Sequence, residues 1–147
     1  MSNSMYVVDA NILIYSFRKD SDFHQVCYDW LTKQLAAGVT LAVPDVNHLA
    51  LVRLMTLPSL GEQSAHIDDV FAFIHTLHRL ENYRTLGLTT KTLHYWHTIC
   101  TKYQLRGNHV NDAYLAALAM EHHATLVSAD KGFARFKELT WFNPLIE

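Results

Sequence analysis

Three aspartates stand where a short apolar run ends or a long one begins. Asp9 follows Tyr6-Val7-Val8, Asp130 follows the run 125–129, and Asp112 precedes the apolar stretch 113–120. Open α/β folds bind ligands at the carboxyl edge of a parallel sheet, where Asp9 and Asp130 are expected to meet. A third carboxylate entering from a helix N-terminus would complete an oxygen cluster of the kind that holds Mg²⁺ or Mn²⁺. The pattern predicts metal-dependent phosphoester chemistry, with these three aspartates as metal ligands and catalytic residues.

Each aspartate also has a purely structural explanation. Aspartate is a preferred helix N-cap, and a helix is expected directly after Asp9 and after Asp130. The dipole at the start of its own helix would stabilise Asp112. The metal interpretation is preferred because both strand ends carry the same residue type. In addition, Asp112 has no evident structural need for a charge beside so apolar a helix.

Four polar residues lie near the aspartates in sequence. Asn11 and Ser128 each stand two positions from a strand-end aspartate, and such side chains orient metal-binding carboxylates through hydrogen bonds. The alternatives are helix capping by Asn11 and a satisfied strand-end hydroxyl on Ser128. Asn108 and Asn111 come just before the third aspartate and are also typical of turns and caps. We treat all four as candidates for positioning the carboxylates, not as ligands.

Other common site chemistries are missing from the sequence. Among the ten histidines, the pairs His75/His78 and His94/His97 have helical spacing. No HExxH motif occurs, however, and a dedicated zinc site is not predicted. A glycine-rich phosphate loop and a G-x-S-x-G turn are also absent, which argues against P-loop and serine-hydrolase chemistry. No cofactor other than a divalent ion is predicted.

The composition is that of a folded protein. Of its 147 residues, 50% are hydrophobic, five are Gly and three are Pro, which argues against disorder. Twelve basic and fourteen acidic residues give a formal net charge of −2, so a bound metal would have to supply part of the positive field for a nucleic acid. No apolar run reaches membrane length and no export signal is evident, so no membrane contact and a cytoplasmic location are expected. Cys27 and Cys100 are expected to be free thiols.

Strand-like runs alternate with helix-like segments along the chain. Strands are predicted at 5–8, 39–43, 85–88, 125–128 and 140–142. Helices are predicted from residue 11, from residue 23 to an end at Gly38, at 46–55, at 67–77, from a cap at Thr89 or Thr90 to residue 103, at 112–120 and at 133–136. Strands separated by helices are typical of a parallel sheet with helices on both faces. We expect a single domain over residues 1–147 with a three-layer α/β/α fold and a central, mostly parallel sheet of about four to five strands.

Four segments carry a family resemblance: YVVDANILIYSF, VPDVNHLALVRLMTLP with its Arg-x-x-Thr-x-Pro pattern, NDAYLAALAMEHHATLVSADKGFARF, and the closing NPL. Together they resemble PIN-domain ribonucleases of the VapC toxin type over essentially the whole chain. The resemblance implies a PIN-like fold and the toxin of a type II toxin–antitoxin system. It further implies a Mg²⁺- or Mn²⁺-dependent endoribonuclease that cuts tRNA or other structured RNA, leaving a 5′-phosphate and a 3′-hydroxyl. A VapB-type antitoxin would neutralise it, and a homodimer is typical.

The resemblance assigns the same three aspartates. Asp9 corresponds to the first metal ligand, Asp112 to the acid before the alanine-rich helix, and Asp130 to the acid of the Ser-x-Asp element. The chain departs from the family pattern in lacking a glutamate on the helix after the second strand, between Val46 and Thr56. Lys131-Gly132 also stands where a further acid is often found. These departures put tight binding of a second metal in doubt.

Three residues near the missing glutamate are polar or charged. Asp45 is expected to be a helix N-cap beside Pro44. Asn47 and His48 face roughly the region of the missing acid but are not like-for-like replacements.

Two other functions are compatible with these residues. The first is a catalytically weak or inactive PIN domain that binds RNA or protein, which the missing glutamate and the acidic balance favour; carboxylate-dependent Mn²⁺ binding separates it from the nuclease. The second is a phospho-acceptor or phosphatase-like α/β domain, which also gathers aspartates at a sheet edge. Such sites usually need a second acid close to the first, where this chain has Asn11, so this alternative ranks last.

Overall fold

The computed structural model describes residues 4–146, which contain one sheet of five strands. The strands are β1 (Met5–Val8), β2 (Thr40–Pro44), β3 (Tyr83–Leu86), β4 (Thr125–Val127) and β5 (Trp141–Phe142). Their order across the sheet is β3-β2-β1-β4-β5, and all neighbours are parallel. The predicted α/β fold with a central parallel sheet is confirmed, with β1 in the middle.

Helical segments join each strand to the next. The α-helices are α1 (Ala10–Phe17), α2 (His24–Ala36), α3 (Asp45–Met55), α4 (Ile67–His78), α5 (Thr90–Lys102) and α6 (His109–Glu121). Short 3₁₀ helices span Pro58–Gln63 and Lys131–Arg135. Parallel strands need such crossover connections, and the carboxyl ends of all five strands therefore lie at the same edge of the sheet.

Helices cover both faces of the sheet. Adjacent residues of a strand point to opposite faces. Val7 accordingly packs in the core beneath α5 and α6, whereas Val8 packs in the core beneath α1 to α4. Because central parallel strands are buried on both faces, they appear in the sequence as continuous apolar runs.

Helix α6 is buried around most of its circumference. Residues 113–119 are all buried, and a helix that is apolar all round belongs in a protein interior. Four of these seven residues are alanines, whose small side chains let α6 lie close to the sheet and to α5. The position of Asp112, in the first turn of this helix, is therefore held by tight packing.

Several element boundaries differ from the sequence-based expectation, and two of these differences have a clear local cause. Helix α6 begins at His109 instead of Asp112, because Gly107 takes the turn at φ 57° and Asn108 occupies the N-cap position. Strand β3 covers Tyr83–Leu86 instead of 85–88, because pairing with β2 places Leu86 opposite Pro44. The short run 83–88 carries no internal pattern that would have set this register.

The start of α3 also differs. Pro44 takes the N-cap position and Asp45 is the first helical residue. The Asp45 carboxylate still accepts a hydrogen bond from the Val46 N–H, at 2.8 Å. Asp45 therefore satisfies a free N–H group at the helix start from the first helical position, and not from the expected N-cap position.

Two further observations concern thiols and membranes. Cys27 and Cys100 are free, and burial raises the pKa of the Cys27 thiol to about 11, so it is an unreactive core residue. Within residues 4–146, no helix combines the length and the apolar character needed to cross a membrane.

Enlarging a core alanine of α6 should destabilise the protein. Ala117 is 0% exposed, so Ala117→Leu forces extra methylene groups into a packed interior, at a cost of about 1–3 kcal/mol. Ala36→Leu is the matched control, since Ala36 is exposed on α2 and leucine is nearly as good a helix former as alanine. Urea unfolding of both variants tests this. Equal free energies of unfolding would show that α6 is not packed as described.

Candidate active site

The carboxyl ends of β1 and β4 meet at the centre of the sheet edge. Asp9 directly follows β1, and its backbone N–H donates to the carbonyl of Val127 at the end of β4, at 2.9 Å. Asp9 is also the N-cap of α1, where its Oδ1 accepts from the Ala10 N–H at 2.7 Å. Asp9 therefore caps a helix and also lies at the sheet edge.

Ser128 joins the end of β4 to Asp9. Its Oγ is in a fully buried residue and donates to Asp9 Oδ2 at 2.8 Å. It also accepts from the Asn11 side-chain amide at 3.2 Å and from the Asp130 backbone N–H at 3.1 Å. Asn11 completes the link by accepting from the Ala129 N–H at 3.2 Å. Asn11 and Ser128 thus orient the Asp9 carboxylate against the segment that carries Asp130.

Asn47 is a site residue for which sequence reasoning found no role. It lies in the first turn of α3, is 5% exposed, and its Nδ2 is 3.4 Å from Asp9 Oδ1 and 3.5 Å from the Val8 carbonyl. Its only signal in the sequence was its position near the missing glutamate. Asn47 reaches the first aspartate from the helix on which many PIN domains carry a glutamate. Being neutral, it orients the carboxylate but adds no charge.

Asp112 is held by an arginine from the opposite side of the site. Its Oδ2 accepts from Nη2 of Arg135 at 3.0 Å, and Nη1 of Arg135 is 3.3 Å from Nδ1 of His109. In the sequence, Arg135 is one of three basic residues after Asp130, with Lys131 and Lys137, and nothing there connects it with Asp112. This ion pair is formed by long-range packing that neither local sequence reveals.

Asp130 is the exposed member of the three. It is the N-cap of the 3₁₀ helix Lys131–Arg135, and its Oδ1 accepts from the Gly132 N–H at 2.9 Å. A Cβ at position 132 would lie 3.1 Å from this oxygen, so glycine leaves the carboxylate room to turn. The capping alternative considered from the sequence is therefore also realised for Asp130.

Asn108 and Asn111 occupy different surroundings. Asn108 stands at the N-cap position of α6 without a capping hydrogen bond from its side chain. Asn111 lines a groove between α3 and α6 together with Trp96 and Tyr114. In the described part of the chain, neither asparagine side chain forms a hydrogen bond with an aspartate of the site.

The three carboxylates influence each other electrostatically. Burial is the main cause that raises the pKa of Asp9, and hydrogen bonds from Ser128 and Ala10 oppose it, while Asp130 and Asp112 raise it further. Burial likewise raises the pKa of Asp112, with a further increase from Asp130 and opposing effects from Arg135 and His109. Mutual repulsion of this kind means that a cation bound among them would be favoured.

The oxygen ligands suit a hard divalent ion, but they are not gathered around one point. Within residues 4–146, no group of three or more His, Cys, Asp and Glu side chains is arranged to hold a metal ion. Asp112 is engaged by Arg135, and Asp130 by the backbone of Gly132. Shared coordination therefore requires side-chain rotation at these two residues, whereas Asp9 is already oriented. The donor chemistry fits Mg²⁺ or Mn²⁺, which prefer carboxylate oxygens.

Replacing Asp9 with asparagine should stabilise the metal-free protein at neutral pH. The raised pKa means that the folded state holds a proton on Asp9 more tightly than the unfolded chain, so ionisation destabilises the fold as the pH rises through that pKa. Asparagine cannot ionise and can still accept from the Ala10 N–H. Urea unfolding in EDTA should show a larger free energy of unfolding for the variant at neutral pH. This gain should shrink as the pH falls toward 3.8, the ordinary pKa of an aspartate.

Asp69→Asn is the control for this measurement, because Asp69 is exposed on α4 and should change little. An Asp9→Asn variant less stable than the wild type at neutral pH would show that the hydrogen bonds to the carboxylate outweigh its burial.

Comparison with known proteins places the chain in a family. The family model described as PIN domain matches residues 6–139. A VapC ribonuclease of Mycobacterium bovis is 32% identical over 144 residues, which is 96% of this chain and 96% of that protein. Ribonuclease VapC25 of Mycobacterium tuberculosis is 29% identical over 142 residues, covering 97% of this chain and all of the relative.

The fold agrees with this assignment. The crystal structure of VapBC2 from Rickettsia felis, bound to a DNA fragment from its promoter, matches with a TM-score of 0.71 at 22% identity. The match covers 95% of this chain and 98% of the chain in that structure. This chain therefore belongs to the PIN-domain family, among the VapC ribonucleases.

Proposed function

We propose that this protein is the toxin of a type II toxin–antitoxin system and cuts RNA as a Mg²⁺- or Mn²⁺-dependent endoribonuclease. The observation that carries the proposal is the set of Asp9, Asp112 and Asp130 at one sheet edge, where each of the last two raises the pKa of the first. The relatives named as VapC ribonucleases support it. Helix capping accounts for Asp9 and Asp130 one at a time, whereas a bound cation would account for three mutually repelling carboxylates at one edge.

In the proposed mechanism, the chain's own residues prepare a site for one cation and one phosphodiester. Ser128, Asn11 and Asn47 fix the Asp9 carboxylate, and Asp112 and Asp130 approach it from α6 and from the segment after β4. A bound divalent ion would lower the pKa of a water molecule and screen the charge on the phosphate oxygens. Hydrolysis that leaves a 5′-phosphate and a 3′-hydroxyl completes the proposal.

We infer that one ion is sufficient. Helix α3 carries no glutamate between Val46 and Thr56, and Asn47 provides an amide where a second carboxylate would be needed. The Asp45 carboxylate lies on the same helix but is engaged with the Val46 N–H. A tightly held second ion would lack an anionic ligand on this side of the site.

The proposed partners follow from the similar proteins described above. A VapBC complex of similar fold supports a VapB-type antitoxin as the inhibitor. The homodimer is proposed from the family resemblance alone. The proposed substrate is tRNA or another structured RNA, and the proposed place of action is the cytoplasm, where such RNAs are found. We also propose that residues 1–147 act as a single PIN domain.

Removal of one site carboxylate should abolish metal-dependent cleavage. For Asp9→Asn and Asp112→Asn we expect a rate loss greater than the roughly 10–100-fold that loss of an outer-shell partner causes, together with loss of Mn²⁺ binding. Ser128→Ala should fall within that roughly 10–100-fold range, because it removes an orienting hydrogen bond and no ligand. Cleavage of bulk tRNA in Mn²⁺ and calorimetric titration of Mn²⁺ measure the two effects.

Asp69→Asn provides the matched control, since it removes an exposed carboxylate of α4 outside the site. If Asp112→Asn retains wild-type cleavage in a nuclease-free preparation, the nuclease assignment is wrong. If the wild type binds RNA but neither Mn²⁺ nor Mg²⁺, the protein is instead the inactive RNA-binding PIN domain.

A further inference from the structure

Arg135 has a fixed position beside the proposed site. It is the last residue of the 3₁₀ helix that begins directly after Asp130. Phe133 and Phe136, on either side of it, are 1% and 2% exposed, so the backbone of this segment is anchored in the core. The guanidinium lies over the Phe136 ring, with Cζ at 4.7 Å from the ring centroid. The position of the charge is thus set in advance by packing.

The hydrogen-bonding capacity of Arg135 is not fully used. A guanidinium carries five N–H donors. Nη2 donates to Asp112 at 3.0 Å and Nη1 to His109 Nδ1 at 3.3 Å, whereas the buried Nε has no partner within the described residues. A buried donor without a partner is destabilising. The Arg135 side chain is about one-third exposed. Its unused N–H donors are therefore available to a further hydrogen-bond acceptor at the site.

The charges at the site explain why a cation is needed there. Three ionised aspartates exceed one divalent ion by a single negative charge, which would repel the phosphodiester of RNA. Among the ion pairs of residues 4–146, Arg135–Asp112 is the one that involves an aspartate of the site. The guanidinium offsets the excess charge, and its planar fork matches two phosphate oxygens better than a lysine ammonium does.

We propose that Arg135 is an RNA phosphate-binding residue, paired with Asp112 in the resting protein and transferred to a phosphate oxygen when the metal ion and RNA bind. The inference rests on the proposed nuclease function. A divalent ion and the guanidinium compete for the same Asp112 carboxylate, so metal binding releases Nη2 for the substrate. The ion pair therefore weakens metal binding in the absence of RNA and contributes a phosphate contact in its presence.

The metal-binding half of the proposal is tested with Mn²⁺ alone. Arg135→Gln should bind Mn²⁺ about two- to fivefold more tightly, because the free energy of a partly exposed ion pair with Asp112 no longer opposes metal binding. The same variant should lower kcat/KM for RNA cleavage on the order of tenfold or more, as expected for loss of a charge-assisted hydrogen bond. Weaker Mn²⁺ binding would show that Arg135 merely holds Asp112 in place, and would overturn the proposal.

The RNA-binding half is tested without turnover. In an Asp9→Asn/Asp112→Asn background, the ion pair of Arg135 with Asp112 is absent and metal binding is lost, so replacement of Arg135 reports on RNA binding. Fluorescence anisotropy with a labelled RNA hairpin should show weaker binding by Arg135→Gln. The slope of log affinity against log salt should be smaller by roughly 0.7–0.9 per lost phosphate contact. Unchanged affinity and slope would overturn the proposal.

Two further variants serve as controls for the replacement of Arg135. Lys137→Gln removes one positive charge from an exposed position two residues away and should alter neither Mn²⁺ binding nor cleavage. Arg135→Lys should retain most RNA affinity but lose part of kcat/KM, because the ammonium cannot form the paired contact. A failure of the nuclease function would appear separately, as unchanged cleavage by Asp112→Asn.

Discussion

The parallel pairing of β1 with β4 is the constraint on which the site depends. It brings Ser128 within 2.8 Å of Asp9, although the two residues are 119 positions apart in the chain. The same pairing aligns the backbone of Asp9 with the end of β4 and places the Asp130 segment beside it. Helix α6 then only has to present Asp112 at this edge, and its alanine-rich surface allows the close approach. Small errors in this register would separate the carboxylates.

Much of the fold could be predicted from the sequence. The strand runs are continuous and apolar because the central strands are buried on both faces, and the alternation with helices indicated a parallel sheet. The family predicted from the motifs around Asp9 and Asp130 is confirmed by the match over residues 6–139. The limits of β3 and α6 were wrong by two or three residues, since pairing with β2 and the turn at Gly107 set them.

The site was harder to predict than the fold. The roles of the three aspartates stay a prediction, although strand order places Asp9 and Asp130 at one sheet edge. The contacts that Asn47 and Arg135 make at the site were not predicted, because each contact joins distant segments of the chain. Asn47 reaches Asp9 only because β2 lies beside β1, and Arg135 reaches Asp112 only because the 3₁₀ helix packs against the start of α6. Local sequence carries no signal for either pairing.

The two outer strands have a consequence for self-association. Strand β5 has two residues and β3 has four, so the rims of the sheet offer few free backbone groups to another chain. On β3, Arg84 is exposed, and a charged side chain at a rim disfavours strand addition. Continuous polymerisation through sheet extension is therefore disfavoured.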